Sequence, residues 1–441
     1  MDLLTEPLET FTYDKVVAFC GERFREGLQL DYKEDLPGSG LSKQIASFAN
    51  TRGGVLVIGV TEDRRTGIPS AWNGILDSAK SVEKIYQWIS NVTPIPPHDL
   101  HVTDARNGRV FILVRVDEGP QSPYYVQNDA NIWVRTGNIS TPVDIASPEV
   151  VELLIGKKEK AQLARNNYHG MATMVYDSAF SAAEVERQRL VKQDILEYEE
   201  KQRSNPVAAI NDGPYVPRYY SKPLGVEAAI CKFSIQPFYP SKALMRPSEL
   251  RDNLAQLRGS LPYIEFPNLS MRPIPEGLYF FDWDKNNGRI ECHQVYATGL
   301  VYFAYDILTV DTKEDKRIFS TKSICSILFR GLEAASNYYR NSHYRGGVNG
   351  SLNLSGVRSA SVEALGDSWY RSAAWGVNSA LLDEYEWDLS LDSTILLDPV
   401  RKARYFIQKS LEIEWDLGYP DASEELTKQY MRANHWLPES M

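Results

Sequence analysis

No stretch of this chain reaches the eighteen or so consecutive apolar residues that a membrane-spanning helix requires. Cysteine is scarce. The four present, Cys20, Cys231, Cys292 and Cys325, form no CxxC pair, so neither a disulfide framework nor a thiolate zinc site is expected. Only six histidines occur, and only His98 and His101 stand close together, in a proline-rich loop without zinc-like spacing. There is no basic excess: 48 Lys and Arg stand against 58 Asp and Glu, a net charge of −10. That excludes a uniformly basic nucleic-acid coat but leaves room for a local patch. The GxSxG elbow, the HExxH zinc helix and the kinase signatures are all missing. The opening MDLLTEPLETFTYDK is acidic and lacks the basic start and apolar stretch of a signal peptide, so a cytoplasmic protein with no membrane partner is expected.

What is present is ordinary globular material: 43% hydrophobic and 24% charged residues over 441 positions, enough for about two domains. No internal repeat or low-complexity tract stands out. The spacing predicts a helix over 11–26, then strict alternation in Leu28-Gln29-Leu30-Asp31-Tyr32-Lys33, a half-buried strand with Gln29, Asp31 and Lys33 on its polar side. A break at Pro37-Gly38-Ser39-Gly40 precedes a helix over 41–52. Gly53-Gly54 ends it, and 55–60 is a continuous apolar run of the kind buried on both faces. A helix near 78–91, strands near 109–118 and 131–136, and a helix capped by Ser147 with Pro148 at its first position complete a unit. The run Lys157-Lys158-Glu159-Lys160 reads as a solvated helix face.

The expected fold class is α+β. A mixed sheet with flanking helices fills 1–160, a polar helical connector 161–205, and a second αβ domain of unknown role 206–441. The second domain has strands at 226–236, 278–283 and 289–305 and helices at 321–340 and 399–416. Its many Tyr and Trp are expected in core and interface.

For chemistry, the sequence offers carboxylates. Glu26, Asp31 and the Glu62-Asp63 pair fall at element ends in the first domain, and neighbouring strands would bring them to one end of the sheet. Clustered acids are oxygen ligands for Mg²⁺ or Mn²⁺, which activate water in phosphodiester cleavage. Lys33 shares the strand face of Asp31 and is placed to hold a phosphate. A Walker A loop is absent. The nearest segment, Gly38 to Lys43, has a different spacing, though its amides could still line a phosphate at a helix N-terminus.

Three blocks carry a resemblance. Glu26 to Lys33 is similar to the E-S-x-x-[LV]-E-[FY]-K opening of the Schlafen AlbA-type domain, also called a divergent AAA or DNA-binding domain. Ile45-Ala46-Ser47-Phe48-Ala49-Asn50-Thr51-Arg52-Gly53-Gly54-Val55-Leu56-Val57-Ile58-Gly59-Val60 resembles its ANTxGG core. Trp133 to Thr141 resembles its closing [YW]-[VI]-R-x-G-S-x-[ST] segment. The blocks span 22–155, about a third of the chain, and Asp31 and Arg52 depart from the usual residues. The resemblance implies a metal-dependent endoribonuclease cutting tRNA or other structured RNA, with stress or antiviral defence as the family-level role. Glu26 and Asp31 would be its first two acids and Asp63 or Glu62 the third, Asp63 preferred, with Mg or Mn held by Glu26, Asp31 and Asp63. The alternative is a binding regulator of DNA or RNA without chemistry, using Lys33, Lys43, Arg52, Arg64, Arg65 and Arg135 on phosphates. A nucleotide (ATP) module is a third reading. A single-lobe chain could complete a two-lobed cradle as a homodimer.

Overall fold

The structure is a computed structural model of the 441-residue chain. It describes every residue except 1, 2, 4, 5, 7, 39, 120, 130, 137–138, 145–147, 205–227, 241–242, 247–248, 251–271, 284–289, 312–315, 343, 345, 366–379, 381, 420–421 and 439–441. Two compact units result. One holds Met1–Ala164 with His343–Val348 and Asp392–Thr394; the other holds the remainder.

The first unit is built around the apolar run foreseen in the sequence. Strand β2 (Gly54–Ile58) is buried at all five positions. Its alternating side chains serve two cores: Leu56 and Ile58 face one, Val55 and Val57 the other. Strand β1 (Leu30–Lys33) pairs with it in parallel, Asp31 opposite Leu56. Ile112–Val116 and His98–Val102 extend the sheet antiparallel. A second sheet joins Ile139–Asp144, Asn131–Thr136, Tyr125–Val126 and Val92–Thr93. The mixed α+β arrangement is the one expected.

Helix α1 (Tyr13–Gly21) begins where the Thr12 hydroxyl accepts from the Lys15 amide at 3.3 Å, and it packs Val16, Phe19 and Cys20 into the second of these cores. It stops five residues before the expected end. Glycine at position 21 is a poor helix former, and the Glu26 N–H is committed to the Gly67 carbonyl at 2.7 Å. Helix α2 (Ser42–Thr51) buries Ile45, Ala46, Phe48 and Ala49 in the first core. The turns on either side of β2 each require a glycine. Gly53 has φ +70° with the Val116 carbonyl 2.8 Å from where a Cβ would sit, and Gly59 has φ +106° with Gly74 Cα at 2.7 Å from that position. Gly59 splits the expected 55–60 strand. The chain turns there into β3 (Val60–Asp63), which pairs antiparallel with β4 (Ile68–Trp72). Helix α3 (Ala79–Ser90) comes next, as expected.

Strand β1 departs from the half-buried reading. Asp31 and Tyr32 point to opposite faces, yet both are buried. An aspartate in such a place demands a partner, which the functional site supplies.

Helix α4 (Pro148–Ser204) is one 57-residue helix. The cap expected at Ser147 lies outside the described residues. The stretch expected only to connect also packs: Ala172 and Tyr176 join Ile230, Cys292, Tyr296 and Tyr302 in a core of the second unit.

In that unit the large sheet has the order Arg272–Ile274, Gly277–Trp283, Ile290–Tyr296, Val301–Asp306, Ile230–Pro237, Gly347–Ser355, Glu384–Asp388, with the first five strands antiparallel to their neighbours and the last two antiparallel to each other. Thr309–Asp311, Lys316–Ser320 and Ser361–Glu363 make a separate small sheet. Helices Thr321–Asn341 and Pro399–Asp416 match the expected spans, the latter capped by Asp398 at 2.8 Å from the Val400 amide. Residues 226–227 of the expected strand at 226–236 lie outside the described residues. Tyr302, Tyr338, Tyr339 and Trp387 are buried, so these aromatics build core. All four cysteines are free and buried. Among the described residues no helix is long and apolar enough to cross a membrane.

Candidate nucleic-acid interface and carboxylate cluster

The loop before β1 delivers Glu26 to the end of the sheet. Its Oε1 accepts the Tyr32 amide at 2.7 Å, and its side chain is buried. Strand β3 brings Glu62 within hydrogen-bonding reach of it. Burial, the hydrogen bond to Glu62 and the nearby charge of Asp31 push the Glu26 carboxyl up to about 9. At that value Glu26 keeps its proton at neutral pH, within hydrogen-bonding reach of Glu62.

Asp31 is engaged on both oxygens. Oδ2 accepts from Arg135 at 2.7 Å, and Oδ1 takes an ion pair with Lys33. Arg135 is as buried as its partner. It donates to the carbonyls of Gly27 at 2.7 Å and Leu30 at 3.4 Å, and its guanidinium lies 4.7 Å from the centre of the Phe48 ring. The residue expected to contact phosphate instead ties the closing strand to β1.

Asp63 stands apart from the other acids. It is exposed, and its Oδ1 accepts from the Arg65 and Thr66 amides at 2.9 Å each and from the Thr66 hydroxyl at 3.1 Å. These bonds hold its carboxyl below the usual range. Glu62, not Asp63, is the acid beside Glu26. Among the described residues no three His, Cys, Asp or Glu side chains converge as a metal ion would need. The expected Mg or Mn set of Glu26, Asp31 and Asp63 is not assembled: one acid caps a turn, one is saturated by cations, and one holds a proton.

The cations divide. Arg64 and Arg65 are exposed on the β3–β4 turn that Asp63 fixes. Arg25, also exposed and not singled out by its sequence, lies against Gly67 of the same turn. Its position next to Glu26 was the only hint. Lys33 is half-buried at Asp31, and Arg52 is exposed at the end of α2. Lys43 sits 3.6 Å from Asp129 and 4.3 Å from the centre of the Trp133 ring, at the second sheet. Gly40, in the segment read as a loop whose amides could line a phosphate, is packed against the Trp88 ring, 2.9 Å from where its Cβ would be.

Asn50 is the conspicuous residue that periodicity could not reveal. Its Nδ2 donates to the Tyr124 carbonyl at 2.7 Å and the Trp133 carbonyl at 3.0 Å. Its Oδ1 accepts from the Tyr124 amide at 2.8 Å and the Ser122 hydroxyl at 3.0 Å. All four capacities of a buried amide are filled, which welds α2 to the second sheet.

A parallel β1–β2 pair, a glycine-bounded helix and an arginine-locked closing strand define a mixed α+β domain with an acid-and-arginine end. Residues 26–144, in the N-terminal third, match the family model described as Schlafen, AlbA_2. The match does not extend to 145–441. The solution structure of the N-terminal domain of an ATP-dependent DNA helicase RecG-related protein from Nitrosomonas europaea is similar at 17% identity. It covers 30% of this chain and 91% of that one, with a TM-score of 0.24. No curated protein matches the chain.

Proposed function

We propose that the N-terminal unit is a nucleic-acid-binding module that holds phosphates through the β3–β4 turn. The observation that carries this reading is the cluster of exposed arginines there: Arg64 and Arg65 on a turn whose backbone is fixed by Asp63, with Arg25 alongside. A Glu26 that keeps its proton removes one negative charge from the neighbouring acids, which lowers the repulsion a phosphate would meet. Contacts of this kind position a backbone without reading sequence, so binding should tolerate many sequences. The family assignment of residues 26–144 points the same way.

A second reading, a metal-dependent nuclease acting on structured RNA such as tRNA, is favoured by one observation. Glu26, Glu62 and Asp31 lie close enough to raise the Glu26 carboxyl together. It would require Asp31 to leave Arg135 and Lys33.

The test is anisotropy of labelled tRNA, single-stranded RNA and duplex DNA against the full chain across a salt series, with parallel incubations in Mg²⁺, Mn²⁺ or EDTA. Binding should weaken with salt. Arg64→Ala with Arg65→Ala should flatten the log–log salt slope by about 1.4 on single strands or about 1.8 on duplex, with no cutting in any metal. Metal-dependent cutting lost in both Glu26→Ala and Glu62→Ala would establish the nuclease instead. An unchanged salt slope in the double arginine variant would remove the turn from the interface.

A further inference from the structure

We propose that the outward face of α4 pairs with α4 of a second copy of this chain, the two helices running antiparallel. Leu163, Met174, Val185 and Leu196 are 62%, 72%, 68% and 64% exposed, each eleven positions after the one before. Eleven residues make just over three whole turns, so the four side chains return to one face with a drift of only about 20° per step. The buried side of the helix keeps the same period. Ala161, Ala172, Ala183 and Asp194 are all buried, each two positions before an exposed apolar residue, about 200° around the helix.

An exposed helix face ordinarily carries charge. Here, from Leu163 to Val185, the exposed positions include Gly170, Ser178 and Ser181, with Asp177 the one acid that the exposed positions carry. Along the continuous helix the four residues span about 50 Å. An element of matching length and period covers such a surface best, and an eleven-residue apolar period is what a slightly right-handed helix pair uses. A second α4 has both. Charge sets the direction: within five positions of Leu163 the exposed ions are Lys158, Glu159 and Lys160, a net of +1, while within five of Leu196 they are Lys192, Glu197, Glu199, Glu200 and Lys201, a net of −1. Antiparallel pairing brings these ends together and opposes the helix dipoles. Leu163 then meets Leu196 of the second copy, and Met174 meets its Val185. A face about 50 Å by 10 Å gives roughly 1,000 Å² in total, at the low end for specific interfaces, so association in the micromolar range is expected.

Sedimentation velocity of the full chain from about 1 to 200 μM tests this. The wild type should shift from monomer to dimer, and Met174→Glu with Val185→Glu should stay monomeric with an unchanged far-UV spectrum and midpoint. Lys160→Glu should weaken the dimer about three- to tenfold, and adding Glu200→Lys should restore it, because these two positions fall at one level across the antiparallel pair. Should the double glutamate variant unfold, the charge exchange decides alone. A wild type that is monomeric throughout, or a dimer that survives Met174→Glu with Val185→Glu, would overturn the interface. Failure of Glu200→Lys to restore it would overturn the antiparallel arrangement.

Discussion

Replacing Asp31 with alanine tests whether this acid serves fold or chemistry. The substitution takes the Asp31 carboxylate away from the Arg135 guanidinium, whose side chain is only 1% exposed and which also faces the carbonyls of Gly27 and Leu30 and the Phe48 ring. Removing one partner of a buried pair typically costs about 3–5 kcal/mol. Lys33 adds little, because it is partly exposed and can be rehydrated. For a unit of this size each kcal/mol moves the midpoint by about 2–4 °C, so a drop of about 6–20 °C is expected. Asp31→Asn should cost less, since an amide oxygen still accepts from Arg135. Urea unfolding of the full chain, with hydrogen exchange followed in peptides covering β1 and β2, places the loss in the right unit. If Asp31→Ala unfolds within 1–2 °C of wild type, the ion pair is not structural, the closure of the acid cluster is wrong, and the nuclease reading gains. The same result governs how activity data are read: lost binding or cutting in Asp31→Ala counts as chemical only once the fold is shown intact.

Neighbouring residues give further expected outcomes. Glu26 binds its proton more tightly folded than unfolded, so its contribution is fully present below the unfolded carboxyl range and is lost as pH rises towards about 9. The thermal midpoint of the wild type should therefore fall between pH 5 and 9, and Glu26→Gln should flatten that fall; a parallel slope in the variant would exclude Glu26 as its source. Asn50→Ala removes the side-chain partner of the Tyr124 amide and of the Tyr124 and Trp133 carbonyls, and should cost about 3–5 kcal/mol in urea unfolding. A cost below about 1 kcal/mol would mean that water or a shift of the second sheet replaces the clamp.

The parts of the fold legible in the sequence were those fixed by local rules. The apolar run of β2, the glycines closing α2, and the helices at 321–341 and 399–416 all declare themselves within a few residues. Alternation misread β1 because the side chain that makes Asp31 tolerable in a core, Arg135, lies 104 residues away. Asp63 and Glu62 are adjacent in a strand and point to opposite faces, so choosing between them needed the strand's register and its bulge between Thr61 and Glu62. Arg64 and Arg65 were visible as candidates, whereas Arg135 was indistinguishable from them until burial separated structural from exposed arginines.

The Asn50 clamp also bears on motion. Tyr124 lies just before the short Tyr125–Val126 strand, directly after Pro123, where amides usually exchange with solvent quickly. Its N–H is donated to Asn50 Oδ1, and its side chain is 1% exposed. Releasing that hydrogen requires α2 to separate from the second sheet, so Tyr124 should exchange as slowly as the centre of β2. A loop amide would then report the opening of the whole unit.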